Sequence, residues 1–343
     1  MVIKSSGREV ALARSVAEHA QVAKKRFLTL LSTGLLMLGI STAAPSQALP
    51  VELSSSSSSS SSSVLQDLLS SVAPEEEAPG NAPKNFPGYP EITPDSTIPL
   101  QVLMPDGGER EVIISLPENY DPTRSYPVWL AFAGRNISPE HMSTDTGLQN
   151  ASDAIVAYGR GIGNAWAGAP YATTTMAEDI AYSRAVVDRI AENYSVDRER
   201  VYSIGHSNGG GFSLALACFA PDLVAGVASV SGIFYEPGTP VSGQCAAQPV
   251  PTVIIHARWD GLSHFNGNIA HGKPYVGANQ MAATQAEING CGPEPLRTEI
   301  AEGLSRTQWQ GCAAETELIV SDNNVHGWPN YSAFEAWDFL ARQ

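Results

Sequence analysis

The chain has 343 residues, a formal net charge of −15, 43% hydrophobic residues and 16% charged ones. That length admits one large domain or two ordinary ones. The acidic balance argues against nucleic acid and anionic membranes as partners, because such a surface repels them, and it says nothing positive about a substrate.

Lys24, Lys25 and Arg26 precede the apolar run Phe27 to Ile40, which gives way to the small residues of "STAAPSQALP". A basic start, a short apolar core and a small-x-small exit predict a secretory signal peptide over 1–48, cut after Ala48. The run is shorter than the ~20 residues a spanning helix needs, so no membrane anchor is expected in the mature chain. No cysteine precedes Cys218, which excludes a lipoprotein anchor. Residues 1–48 carry six Lys/Arg and two Asp/Glu, so the remainder holds −19. An unbroken serine run, Ser54 to Ser63, and a stretch rich in Pro, Glu and Gly follow. Such composition buries too little apolar surface to offset the entropy of ordering. The expectation is a flexible linker over 49–94 and one α/β domain over 95–343.

Within that domain, "REVIISLP" (Arg110 to Pro117) reads as an early strand. "YPVWLAFAG" (Tyr126 to Gly134) and "AIVAY" (Ala154 to Tyr158) are nearly continuous apolar runs, the pattern of strands buried on both faces. Met176 to Tyr194 has helical spacing, with Ile180, Val187, Ala191 and Tyr194 on one face. A strand over 199–205, a helix over 210–220 and strands over 224–232 and 250–257 come next. A helix over 277–291, a last strand over 316–322 and a closing helix over 331–342 complete the series. Alternating strands and helices predict an α/β sandwich around a mainly parallel sheet.

Between the strand and the helix near residue 207 lies Gly205-His206-Ser207-Asn208-Gly209. This is the G-x-S-x-G nucleophile elbow, a turn that lifts a serine hydroxyl above the end of the sheet. Serine is a poor nucleophile until a base takes its proton. In this arrangement the partners follow in the order serine, acid, histidine. Of the seven histidines, His206 adjoins the serine and is expected to point elsewhere, and His256, near a strand end, reads as structural. His326, between the last strand and the last helix, is placed for the base. Asp260, three residues past a strand end, is placed for the acid; Asp222 comes too early and Asp322 is too near His326. Oxyanion donors are expected from the backbone N–H of Asn208 and from the loop "FAGRNIS", with Arg135 first and Gly134 second. The four cysteines, Cys218, Cys245, Cys291 and Cys312, have no short zinc-type gap and predict two disulfides. Three pairings are open, and short local loops favour Cys218–Cys245 with Cys291–Cys312.

The stretches "YPVWLAFAGRN", "NAWAGAPYAT", "YSIGHSNGGGF", "IIHARWDGLSHFNG", "INGC", "WQGC" and "HGWPN" occur in this order. Together they resemble the secreted esterases that include feruloyl esterases, acetyl xylan esterases and polyhydroxybutyrate depolymerases, over about 110–335. The resemblance implies a three-layer α/β-hydrolase sandwich and a Ser207–Asp260–His326 triad that uses neither metal nor organic cofactor. It further implies a secreted, monomeric carboxylic ester hydrolase acting on feruloyl or acetyl esters of plant polysaccharide or a related polymer. Polyhydroxybutyrate cleavage and acyl transfer in the cell envelope are the alternatives. Trp166, Tyr171, Trp259 and Trp328 are candidates for an aromatic acyl site. Two places depart from the family pattern: Ala133-Gly134 replaces His-Gly, and Ser263-His264-Phe265 replaces Val-Pro-Tyr, which alters the pocket wall.

Overall fold

The structure, a computed structural model, describes residues 85–343 apart from 241, 242, 244, 246, 247 and 324. The leader expected at 1–48 and most of the expected linker lie outside the described residues.

In chain order the elements are β1 (Ile98–Leu103), β2 (Glu109–Ser115), β3 (Tyr126–Phe132), α1 (Pro139–Asp145), α2 (Leu148–Ala151) and β4 (Ile155–Gly159). Then come α3 (Met176–Ala191), β5 (Val196–His206), α4 (Asn208–Phe219), β6 (Gly226–Val230), β7 (Phe234–Tyr235) and β8 (Thr252–Ala257). The rest are β9 (Gly267–Ala270), β10 (Lys273–Val276), α5 (Ala278–Ile288), β11 (Leu296–Ala301), β12 (Leu304–Gln308), β13 (Thr316–Ser321) and α6 (Ser332–Leu340). Ten strands form one sheet in the order β1-β2-β4-β3-β5-β6-β8-β13-β12-β11. The run from β4 to β13 is parallel, and the two strands at each edge are antiparallel. β7, β10 and β9 make a separate small antiparallel sheet.

The expected mainly parallel sandwich is what forms, and its cause is visible in β3 and β8. All residues of both strands are buried, and alternate side chains serve opposite faces. Val128, Leu130 and Phe132 join the core under α3, α4 and α5. Trp129 and Ala131 join the core under α1, α2 and α6. Helix α3 starts where its capping box dictates: Glu178 N donates to Thr175 Oγ1, and Thr175 N donates back to Glu178 Oε2 at 2.7 Å.

The strands that the sequence reading does not predict are β1, β7, β9, β10, β11 and β12, and β1, β9 and β11 hold a single buried residue among them, Val102. Their runs are short or mixed with polar residues, so they lack the unbroken apolar stretch of the central strands. The linker expectation also differs at its end. Asn330 Oδ1 accepts from Phe86 N at 2.8 Å, the Phe86 ring meets Tyr331 edge-on at 4.8 Å, and Tyr89 Oη donates to Glu335. Two aromatic residues in a Pro-rich stretch are enough to hold 86–89 against the start of α6.

Cys218 is bonded to Cys245 and Cys291 to Cys312. The second bond closes a loop with a sequence separation of 21, for which loop-closure entropy predicts about 3 kcal/mol of stabilisation. The double variant C291A/C312A should therefore unfold at lower urea, with a loss of about 3 kcal/mol by equilibrium denaturation. An unchanged midpoint would mean the loop is already ordered without the bond.

Candidate active site

At the carboxyl end of β5 the backbone turns through Ser207 at φ 52°, ψ −115° and enters α4 at once. A positive φ at a non-glycine residue is strained and persists only where the surroundings impose it. The neighbouring glycines make the turn possible. A Cβ on Gly205 would lie 2.0 Å from the carbonyl oxygen of Gly209, and one on Gly209 would lie 2.0 Å from that of Phe132. Strand and helix thus touch backbone to backbone. Ser207 N donates to Val230 O at 3.0 Å, which ties the turn to β6. Asn208 is the first residue of α4, where a backbone N–H has no acceptor within the helix.

His326 and Asp260 arrive from loops after β13 and β8. His326 Nε2 lies 3.0 Å from Ser207 Oγ, and His326 Nδ1 lies 2.7 Å from Asp260 Oδ2. With Nδ1–H donating to the carboxylate, the lone pair of Nε2 faces the hydroxyl and can take its proton. The other carboxylate oxygen accepts from the backbone N–H groups of Leu262 and Ser263 at 2.8 and 2.9 Å. Burial pushes the Asp260 carboxyl up, but the hydrogen bond and charge of His326, with Ser263 N–H, leave it below its ordinary value. The histidine loop is fixed by Ser231 Oγ donating to Gly327 O at 3.0 Å and Trp328 Nε1 donating to Thr146 O at 3.0 Å. His256 is buried, donates from Nε2 to Ser263 O at 2.7 Å, and braces the acid loop.

His206 does not point away from the site as expected. Its ring packs 5.3 Å from that of His326, and its Nε2 is shut off from solvent without a partner. Gly134 gives it room, since a Cβ there would lie 2.9 Å from His206 Nδ1 and 3.3 Å from Ser207 Cβ. The same contact sets the loop carrying Arg135 beside the serine.

The four candidate binding residues divide. Trp166 is a correction: it is 1% exposed, stacks on Phe212 at 5.3 Å, and donates from Nε1 to Ala133 O. It is core, and its backbone is clamped by the Asn208 side chain, which accepts from Trp166 N at 2.8 Å and donates to Trp166 O at 3.1 Å. Buried Asp179 holds the same loop, accepting from Ala167 N, Thr174 Oγ1 and Arg110 Nη1. Tyr171 is half-buried with the Arg135 guanidinium 4.3 Å above its ring. Trp328 lies 6.4 Å from His206, on the base side of the site. Trp259 is half-buried after β8 and is held by its own N–H to Asn323 O. Sequence reading missed Tyr235 and Tyr275, which pack with Tyr171 into a small apolar cluster. Neither lies in a motif. A cavity of about 510 Å³ is lined by Gly168, Met176, Tyr235, Glu236 and Lys273 among others. Its wall shares Gly168, Ala169 and Tyr235 with a small void that reaches Asn208 and Gly211.

Burial, and then the neighbouring His326, lower the His206 imidazole to about 3. An unfolded histidine titrates near 6.5. Between those values the unfolded chain takes up a proton that the native chain refuses. The native state is therefore least penalised above ~6.5, and stability falls as pH drops through that window. In H206F the fall in urea midpoint from pH 7 to pH 4.5 should be shallower than in the parent chain. Equal slopes would place His206 in water.

A family model named Esterase, described as "Putative esterase", matches residues 105–287. "Putative esterase NocK" of Nocardia uniformis subsp. tsuyamanensis is 32% identical over 228 residues, covering 59% of this chain and 65% of that protein. Feruloyl esterase B of Piromyces equi is 26% identical over 246 residues, covering 67% of this chain and 45% of that one. The chain thus spans less than two thirds of the length of either relative. An acetyl xylan esterase from Aspergillus awamori superposes with a TM-score of 0.53 at 14% identity, covering 72% of this chain and 100% of that one, a likeness of fold. With a match over more than half its residues, the chain belongs to the Esterase family.

Proposed function

We propose that the protein is a secreted serine carboxylesterase that cleaves feruloyl or acetyl esters of plant polysaccharide by two acyl transfers. The observation that carries the mechanism is the single imidazole lying between a hydroxyl at 3.0 Å and a carboxylate at 2.7 Å. His326 Nε2 takes the Oγ proton as Ser207 attacks the ester carbonyl. The backbone N–H groups of Asn208 and Arg135 receive the oxyanion; each such donor is worth roughly 10²–10³ in rate. Asp260 keeps the imidazole in its productive tautomer and stabilises the imidazolium. His326 then protonates the departing alcohol oxygen, water enters, and the same base directs it onto the acyl-serine. The oxyanion is met at the first turn of α4, where the helix dipole also favours negative charge.

The substrate class is supported by the relatives, among them proteins described as feruloyl esterase B and feruloyl esterase C. Secretion is supported by the leader read over 1–48 and by two disulfides, which persist in oxidising compartments.

S207A should lose turnover of 4-nitrophenyl acetate by at least a thousandfold while keeping its urea midpoint, and it should no longer be labelled by a fluorophosphonate. D260N, with the wrong imidazole tautomer, should drop kcat by up to ~10⁴. A panel of methyl ferulate, acetylated xylan and polyhydroxybutyrate then ranks the acyl groups. Retention of most activity in S207A would overturn the reading, and a wild-type rate confined to polyhydroxybutyrate would move the substrate class.

A further inference from the structure

Most arginines of the described residues are spent on carboxylates, as in Arg160 with Glu111 and Arg258 with Asp322. Arg135 makes no ion pair among the described residues. Its guanidinium lies over the Tyr171 ring at 4.3 Å and reaches His271 Nε2 at 3.2 Å, at the turn between β9 and β10. Stacking and a hydrogen bond to an imidazole leave its charge uncompensated, and a guanidinium is charged at every working pH. Arg124 and Arg297 are also without ion pairs among the described residues. They sit before the amino end of β3 and on the edge strand β11, away from the strand ends that carry Ser207. Arg135 follows Gly134, whose missing Cβ would come within 3.3 Å of Ser207 Cβ. An unpaired cation is thus carried by the residue next to the glycine that abuts Ser207, in a chain whose overall charge repels anions.

A second observation concerns a neighbour of Tyr171. Tyr235 is 3% exposed and its hydroxyl has no hydrogen-bond partner. An unsatisfied buried hydroxyl is costly, and structures seldom retain one without reason. Its ring packs edge-on against Tyr171, the ring that carries Arg135. Burial and the neighbouring Tyr275 push the phenol up to about 12, with Arg135 opposing them. A fixed guanidinium and a phenol O–H are both donors, and the ligand both lack is an anionic oxygen. Lys273 lines the adjoining cavity with Glu236 opposite in charge, so the cavity itself is not cationic and the preference rests on Arg135.

We propose that Arg135 and Tyr235 form a subsite for a carboxylate carried by the substrate, so that the preferred ester is anionic. This rests on the esterase reading of Ser207 and adds a substrate feature to it. The carboxylate can belong to the acyl group, as in a dicarboxylic half-ester, or to the alcohol, as in an acylated uronic acid.

The test is a ratio. For the acyl side, kcat/KM is measured for 4-nitrophenyl hemisuccinate against 4-nitrophenyl butyrate. For the alcohol side, release of acetate is measured from acetylated galacturonate oligomers against acetylated xylo-oligomers. The wild type should favour the anionic member of one pair by about tenfold or more, and 0.5 M NaCl should erode that preference. R135Q should lower the favoured ratio about tenfold, mainly through KM; Y235F should lower it about threefold. R135E should push it below that of R135Q. Fluorophosphonate labelling checks that each variant retains a competent serine, and any that fails is replaced by R135K, expected to keep part of the preference. A wild type that hydrolyses the butyrate ester with no anionic preference in either pair, or a ratio indifferent to Arg135, overturns the subsite while leaving the esterase standing. No hydrolysis of any ester by the wild type overturns the esterase reading instead.

Discussion

The backbone contact between Gly205 and Gly209 is the constraint from which the rest of the site follows. It lets β5 and α4 meet with no side chain between them, and so forces Ser207 into a left-handed conformation that a serine would not choose. The strain is held because its neighbours over-determine it: Val230 O receives the Ser207 N–H, and Ser207 O receives those of Gly211 and Ile233. A hydroxyl fixed by backbone has few alternative positions. Loops arriving from elsewhere can then be built to a stationary target.

Those loops come from the carboxyl ends of neighbouring parallel strands, the usual location of sites in open α/β sheets. Asp260 follows β8 and His326 follows β13, strands that lie side by side and are buried throughout. The separation in sequence between residues 207, 260 and 326 is therefore bridged by hydrogen-bonded sheet. Around them a further set of contacts fixes orientation. Asn208 clamps the Trp166 backbone, Asp179 clamps the loop beyond it, and His206 lies against the ring of His326. None of these needs to touch a substrate to matter, because tolerances in such a relay are a fraction of an ångström.

Much of this was legible in the residues. Buried parallel strands announce themselves as unbroken apolar runs, and the turn at Ser207 and the positions of Asp260 and His326 after two later strands follow from chain order. What stayed hidden was hidden for physical reasons. Strands such as β1, β9 and β11 mix apolar with polar or small residues and lack the unbroken run of the buried strands. Trp166 stands in a glycine- and alanine-rich loop that reads as a surface segment, yet its ring fills the space between Phe132, Phe212 and Tyr182. Tyr235 belongs to no motif, and only the folding of a two-residue strand beside β10 gives it a place against Tyr171. The role of His206 was obscured by its position: adjacency to the serine implied a ring turned outward, whereas the sharp turn directs it toward the base.

The outer rims of the large sheet carry one more consequence. β1 has Pro99 in its run, and β11 presents Arg297 and Glu299 to solvent with a register shift after Glu299. Proline withholds a donor, alternating charge discourages apposition, and an irregular ladder spoils registry. A stray extended segment arriving at either rim meets a poor template. Both rims of the sheet therefore refuse to be lengthened.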